Sequence, residues 1–418
     1  MLSAAAALLC RIGELLDRRR VTAYCAMLLA AEIVLAVFYV AGTYGLIVPL
    51  DGPASTDFVS FYAAGSLTDA GTPALVYDRT AHLAAEERAT EHGIKYNFFY
   101  YPPVYLLVCA ALARFPYLVA FLLFEAATLA LYLLVLRRIL DDRRWTTLFP
   151  FLIFPVVFWN FGYGQNGFLT AALFAAATLA IDRRPVLSGL LFGAICYKPH
   201  FGLLIPVALA AGGHWRSFAA AAAAVVGLVL LSLLFFGEAT WQQFFAAIAA
   251  SRATYESGVK LPAFVTPFGA VIVMGGPPAA AYAAQVLVSL VAAGLVALAW
   301  GRRLSLPVRA ATLAAATIVA VPVALFYDLL LGALAAAWLY RSEGGLTAAE
   351  RALFAALYLA CLDPVRIAEL THVPLGPIAA LSLLGILGHR VWREIAAGRG
   401  LSQRGDRAEA GFEPVRPA

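Results

Sequence analysis

The chain has 418 residues, 62% of them hydrophobic and 13% charged, with a formal net charge of +5. Its mean hydropathy of +0.82 excludes an ordinary soluble globular protein and points to a polytopic membrane protein. The positive balance does not indicate nucleic acid, because the basic residues are spread over many short joints between apolar blocks, as topology signals are.

The apolar blocks have about the 20 residues that a spanning helix needs. Only helices and closed barrels satisfy their backbones in lipid, and the strict alternation of a barrel is absent. An all-α membrane protein is therefore predicted. Residues 1–20 read as an amphipathic cytoplasmic N-terminus that ends in Arg18-Arg19-Arg20. The run 21–48 is too long for a signal-peptide core and reads as a retained first helix. A long first outer loop follows at 49–116, with short surface helices and, from Tyr100 to Ala113, a re-entrant or surface-lying segment. Further spans are predicted at 117–137, 146–161, 166–181, 185–198, 200–213, 217–236, 278–300, 308–326, 328–340, 347–362 and 373–389, about twelve in all. A second outer segment, 237–277, is interrupted by Pro262, Pro267 and Gly275-Gly276. One transmembrane domain thus covers 21–397. Residues 398–418 are polar and read as a disordered cytoplasmic tail.

With both termini inside, 22 of the 30 basic residues fall in inner segments, as the positive-inside rule requires. The lysines Lys95, Lys198 and Lys260 all fall on the outer side. The five cysteines are scattered, with neither metal-site nor disulfide spacing. Glu32 and Glu125 lie inside predicted spans, where a structural hydrogen bond facing the bundle interior is the expected role.

On the outer face, polar residues converge. The first loop is strongly acidic and includes Asp51, Asp57, Asp69 and Asp78; Tyr101-Pro102-Pro103, Gly164-Gln165-Asn166, Lys198-Pro199-His200 and Tyr327-Asp328 follow at later joints. Each has two readings. Asp57 is either the N-cap of a helix starting at Phe58 or a general base. Gln165 and Asn166 either start a helix or bind sugar hydroxyls. Lys198 either snorkels or meets a phosphate. His200 is either an interfacial residue or, by its proximity to Lys198, a second phosphate contact. Asp328 is either a cap or a site residue.

Together, the run Asp57-Phe58-x-x-Phe61-Tyr62-Ala63-Ala64, Gly71, Val76-Tyr77-Asp78, Tyr101-Pro102-Pro103, Gly164-Gln165-Asn166, Ser188-Gly189, Lys198-Pro199 and Tyr327-Asp328 resembles glycosyltransferase family 87. Its best-known members are bacterial polyprenyl-phosphate-mannose-dependent α-1,2-mannosyltransferases. The resemblance spans roughly residues 50 to 340. It implies a GT-C-type bundle in the bacterial inner membrane, with its site on the extracytoplasmic face. It implies a lipid-linked sugar phosphate donor, mannose being the expected sugar, and inversion at the anomeric carbon. Asp57 matches the expected general base, with Asp51 in reserve, and Lys198 matches the contact to the donor phosphate. Tyr62, Tyr101, Gln165, Asn166, Tyr327 and Asp328 become candidates for holding sugar or acceptor. The resemblance leaves the acceptor open among a glycolipid, a glycan such as a polysaccharide, and a hopanoid-type lipid. The lipid phosphate leaves as an already stable anion, so no general acid is needed; no cofactor or divalent metal is required, although the acidic loop could bind a metal, and the absence of an Asp-x-Asp nucleotide-sugar motif agrees with a lipid donor. A transporter or flippase of lipid-linked sugars, an O-antigen-ligase-like transferase and a noncatalytic scaffold are the competing classes. The absence of a visible repeat and the gathering of polar residues at one face favour an enzyme over a transporter.

Overall fold

A computed structural model describes residues 2–41, 57–142, 144–256 and 261–410. Among these residues the chain is all-helical, and its single β-bridge joins Phe264 to Leu325. Each of the twelve apolar segments predicted from sequence carries a helix or a close helix pair. Many start on a proline in the first turn, as at Pro155, Pro185 and Pro278, where the missing N–H costs nothing and the fixed φ suits the helix.

Among the described residues, four helices are long and apolar enough to cross a membrane: Tyr117–Leu140, the 215–251 part of Trp215–Glu256, Pro278–Gly301, and the 375–397 part of Leu375–Ala410. The pair Trp145–Leu152 and Pro155–Tyr163, bent by 56°, makes a fifth if it is one span. Other predicted spans are shorter, such as Gly167–Ala180 and Leu306–Val319 at 14 residues each. At 1.5 Å per residue these reach about 21 Å, less than the roughly 30 Å hydrocarbon core. Proline and glycine divide the apolar sequence more finely than hydropathy alone suggests. The long Trp215–Glu256 helix is itself broken at Gly237, whose φ of 77° belongs to no helix. The last helix continues to Ala410, past the point where composition predicts disorder.

The main core is built from small residues. Ala310, Ala311, Ala314, Ala315 and Ala316 of one helix are buried, as are Ala335 and Ala337 of Leu330–Arg341. Small side chains let helix backbones approach closely, the packing mode that works when lipid supplies no hydrophobic drive. Trp300 and Trp338 fill the remaining space. A second, separate core is aromatic: Phe58, Phe61, Phe99, Tyr105, Phe124 and Tyr197. It fastens the first loop onto the bundle and carries the candidate site.

Glu125 departs from its expected role. Its side chain is fully buried, and neither carboxyl oxygen has a hydrogen-bond partner among the described residues. The structural hydrogen bond expected of a carboxyl inside a span is absent there.

Candidate active site

The site is assembled from the first loop, three interrupted helices and one extended strap. The helix Phe58–Asp69 begins at Asp57. Asp57 occupies the N-cap position but has helical dihedrals (φ −62°, ψ −19°), and its side chain caps nothing. Its Oδ2 instead accepts a 2.6 Å hydrogen bond from Gln165 Nε2. The cap reading from sequence therefore fails on geometry, because the carboxylate turns out of the helix toward a residue 108 positions away.

Aromatic packing fixes the helix that carries Asp57. Phe58 lies edge-on to Tyr117 and Phe121, at 5.6 and 5.4 Å between ring centroids. Phe61 lies edge-on to Tyr101 and Tyr105, at 5.3 and 5.2 Å. These T-shaped contacts are favoured by the ring quadrupoles. Behind the helix, His82 Nε2 lies 3.2 Å from the Ser60 carbonyl, and its Nδ1 lies 3.5 Å from Glu86 Oε1. Burial pushes the His82 imidazole down to about 4, so at neutral pH it is uncharged. Glu86 Oε2 accepts from the Asn97 backbone N–H at 3.1 Å, and the Tyr77 hydroxyl donates to the Tyr101 carbonyl at 2.8 Å. The acidic loop is thus an ordered frame that holds the segment 97–101 in place.

Gln165 reaches Asp57 because of Gly164. Gly164 closes the helix Pro155–Tyr163 with φ +67°, a left-handed conformation that costs glycine nothing. A Cβ there would stand 2.5 Å from Phe58 Cβ. Only glycine brings this backbone so close to the start of the Asp57 helix. On the same helix, Asn160 Nδ2 donates to the Tyr327 carbonyl at 2.9 Å and so fixes the turn Phe326–Leu329.

Lys198 sits at a break. The short turn Ile195–Tyr197 ends at Lys198, and Pro199 opens the next one, Pro199–Gly202. Proline forces the preceding residue out of helical geometry, and Lys198 is non-helical at φ −121°, ψ 72°. Its ammonium is buried, 2.9 Å from Asp328 Oδ1, and lies over the rings of Phe201 and Tyr327 at 5.2 and 5.6 Å. The other Asp328 oxygen accepts from the Leu325 N–H at 3.0 Å. The snorkelling reading of Lys198 is thereby replaced by a buried ion pair. Asp328 fits its cap reading, since one oxygen accepts from the Leu325 N–H at the start of the turn, and its other oxygen pairs with Lys198, a partner that the sequence did not suggest.

A cavity of about 330 Å³ collects these groups. Asp57, Tyr101, Gln165, Lys198, His200, Tyr327 and Asp328 all line it. Two candidates do not. The Tyr62 hydroxyl donates to the Phe115 carbonyl at 2.9 Å, and its ring packs on Tyr117. Asn166 is fully buried at the start of Gly167–Ala180 and contributes no lining atom. Asp51 lies outside the described residues. Sequence reasoning missed Ser60, Asn97 and Phe98, and it missed the apolar lining from Phe244, Ile248, Phe264, Val323 and Leu325. The dense aromatic run from Tyr96 to Tyr101 was the available signal for part of this set.

No curated protein and no solved structure matches the chain. The model of glycosyltransferase family 87 matches residues 99–325, more than half of the sequence. Tyr101, Gln165, Lys198 and His200 fall inside that match; Asp57 precedes it and Asp328 follows it, each joined to it by the hydrogen bonds of the cavity. By that match the chain belongs to glycosyltransferase family 87.

Proposed function

We propose that this glycosyltransferase moves a sugar, mannose first among the candidates, from a polyprenyl-phosphate donor to a hydroxyl group of its acceptor, with inversion. The observation that carries this reading is one cavity holding Asp57, steadied by Gln165, together with the buried Lys198–Asp328 pair. Asp57 takes the proton of the acceptor hydroxyl. The acceptor oxygen forms the new bond to the anomeric carbon through an oxocarbenium-like transition state. The bond from that carbon to the phosphate oxygen breaks, and its electron pair leaves with the lipid phosphate. The negative charge on Asp57 is thereby passed to the phosphate, so the net charge of the cavity stays constant. Lys198, with His200 beside it, faces the oxygen on which charge develops.

The same reading puts the cavity at the extracytoplasmic face of a bacterial inner membrane, with both termini in the cytoplasm and about twelve crossings. The shorter helices then cross in a locally thinned bilayer or as broken pairs, which interrupted helices do where they line a cavity.

The test is reconstitution in lipid with a panel of polyprenyl-phosphate sugars, following acceptor-dependent release of free polyprenyl phosphate. Asp57→Asn keeps the shape of the side chain and removes the base. The rate is expected to fall by about 10²–10⁴-fold, the range that general base catalysis supplies. Transfer by Asp57→Asn at near wild-type rate would rule out the mechanism. Movement of the intact donor across the bilayer, without cleavage, would instead establish a flippase.

A further inference from the structure

Away from the cavity, a groove of about 910 Å³ runs between the end of the Asp57 helix, the short helix Leu106–Ala113 and the break at Gly237. The helices that flank it set its depth. From Trp215 to Gly237 the chain rises about 33 Å, and Tyr117–Leu140 rises about 36 Å, each just enough for the roughly 30 Å hydrocarbon core. Gly237 and Arg114 line the groove and directly adjoin the ends of those two helices. The groove therefore sits where hydrocarbon meets headgroups, on the side of the membrane that carries Asp57. Its rim is apolar: Leu75, Phe235 and the neighbouring Leu234 are 43%, 65% and 80% exposed. Within the groove, Asp69 Oδ2 and Arg114 Nε form a loose ion pair at 4.0 Å, with side chains 35% and 74% exposed. That contact engages one carboxylate oxygen and Nε. It leaves the other oxygen and the Nη fork for a further partner.

We infer that this groove is a binding site for phosphatidylethanolamine, a lipid that is neither donor nor acceptor. Its headgroup carries an anion and a cation on one short link, and the groove offers a cation and an anion side by side. The guanidinium fork suits the phosphate, which takes two parallel N–H donors. The primary ammonium has three N–H donors, and Asp69 accepts from it. The acyl chains lie on Leu107, Phe235 and Phe236. Other common headgroups fit less well. Phosphatidylglycerol brings the phosphate without a cation and sets its charge against Asp69. Phosphatidylcholine has no N–H to donate to Asp69. The groove also touches the candidate site from behind. One wall, Thr68 and Asp69, is the last turn of the helix that begins at Asp57; another, Ala239 and Thr240, starts the arm that carries Phe244 and Ile248 into the cavity. A seated lipid clasps these two elements together.

The test is native mass spectrometry of the purified full chain in mild detergent, titrated with phosphatidylethanolamine, phosphatidylglycerol and phosphatidylcholine of identical acyl chains. The wild type should bind phosphatidylethanolamine about tenfold more tightly than either of the others, the value of one charge-assisted hydrogen bond. Asp69→Asn should weaken phosphatidylethanolamine about tenfold and strengthen phosphatidylglycerol, because the repelling charge is gone. Arg114→Gln should weaken all three about tenfold. Both side chains are solvent-facing and loosely paired, so neither change endangers the fold. Ala111→Trp fills an exposed part of the groove and should abolish retention without altering charge. In parallel, phosphatidylethanolamine should raise the thermal unfolding midpoint of the wild type and leave that of Ala111→Trp unmoved. The site is overturned if the three headgroups bind equally, if the preference survives Asp69→Asn, or if polyprenyl phosphate displaces the phospholipid, which would give the groove to a prenyl chain. None of these readouts needs turnover, so the result stands apart from the transferase reading.

Discussion

Replacing Lys198 and Asp328 one at a time and then together separates what the pair does for the fold from what it does for chemistry. Their side chains are 4% and 3% exposed, and the charged atoms are 2.9 Å apart. Lys198→Met leaves the Asp328 charge buried without its cation, a change that costs about 3–5 kcal/mol in buried pairs. Asp328→Asn strands the ammonium at similar cost in the empty protein. The asparagine still offers a carbonyl oxygen to the Leu325 N–H, so that backbone bond survives. The double variant Lys198→Met/Asp328→Asn removes both charges and should return to within about 1 kcal/mol of wild type, since buried pairs barely outweigh their own desolvation. Activity should not return with it. If Lys198 holds the developing charge on the leaving phosphate, transfer in the double variant stays about 10²–10³-fold down. The Asp328→Asn variant adds a linkage test. A donor phosphate supplies the anion that the mutation removed, so the donor should raise its unfolding midpoint by more than it raises that of the wild type. For scale, a ligand at a hundred times its Kd stabilises by about 2.7 kcal/mol. The assay is thermal unfolding in lipid nanodiscs with and without polyprenyl phosphate, alongside turnover. A double variant that transfers sugar at near wild-type rate would refute the role given to Lys198. Equal donor-induced shifts in Asp328→Asn and wild type would refute the idea that the phosphate takes over from the carboxylate.

Two further expectations concern the frame around Asp57. Gln165→Leu keeps most of the volume but removes the donor to Asp57 Oδ2; kcat should fall about 10- to 100-fold through misalignment, with donor KM within twofold, and a change in KM alone would mean that Gln165 contacts substrate rather than the base. His82 is held uncharged by burial, with its imidazole pushed down to about 4. Between pH 6.5 and 4 the unfolded chain therefore takes up a proton that the folded loop does not, so the loop's stability is complete above about 6.5 and is lost as pH falls toward 4, by at most about 1.4 kcal/mol per pH unit. Protection factors in the 58–69 helix, which are exchange rates corrected for the intrinsic rate at each pH, should fall over that window, and in a His82→Phe variant they should stay level; protection factors that ignore pH in the wild type would show that the ring is not what holds the helix.

The positions of the helices were legible from sequence because hydropathy and proline are local signals. Their lengths were less so: the break at Gly237 and the bend between Trp145–Leu152 and Pro155–Tyr163 depend on single backbone conformations within apolar runs. Helical periodicity also held unused information about the site. Asp57, Ser60 and Phe61 share one face at spacings of three and four, and all three line the cavity. Tyr62, five positions from Asp57, turns about 140° away at 100° per residue, and the structure puts it outside. The aromatic run from Tyr96 to Tyr101, broken only by Asn97, was equally readable. The Lys198–Asp328 pair, 130 residues apart, was not, because no local pattern tells which buried cation meets which carboxylate.

Asp57 shows what connects these levels. The family match begins after it, and its N-cap position gives it an ordinary structural role to play. What diverts it is a neighbour on a distant segment: Gly164 is free to turn left-handed against Phe58, and that turn delivers the Gln165 amide to Oδ2. A residue with a Cβ at 164 would have to push the two segments apart. The carboxylate would then lose the hydrogen bond that holds it over the cavity, and helix capping would become its best remaining option. The Gly-Gln pair and the Asp-Phe pair therefore work as one unit.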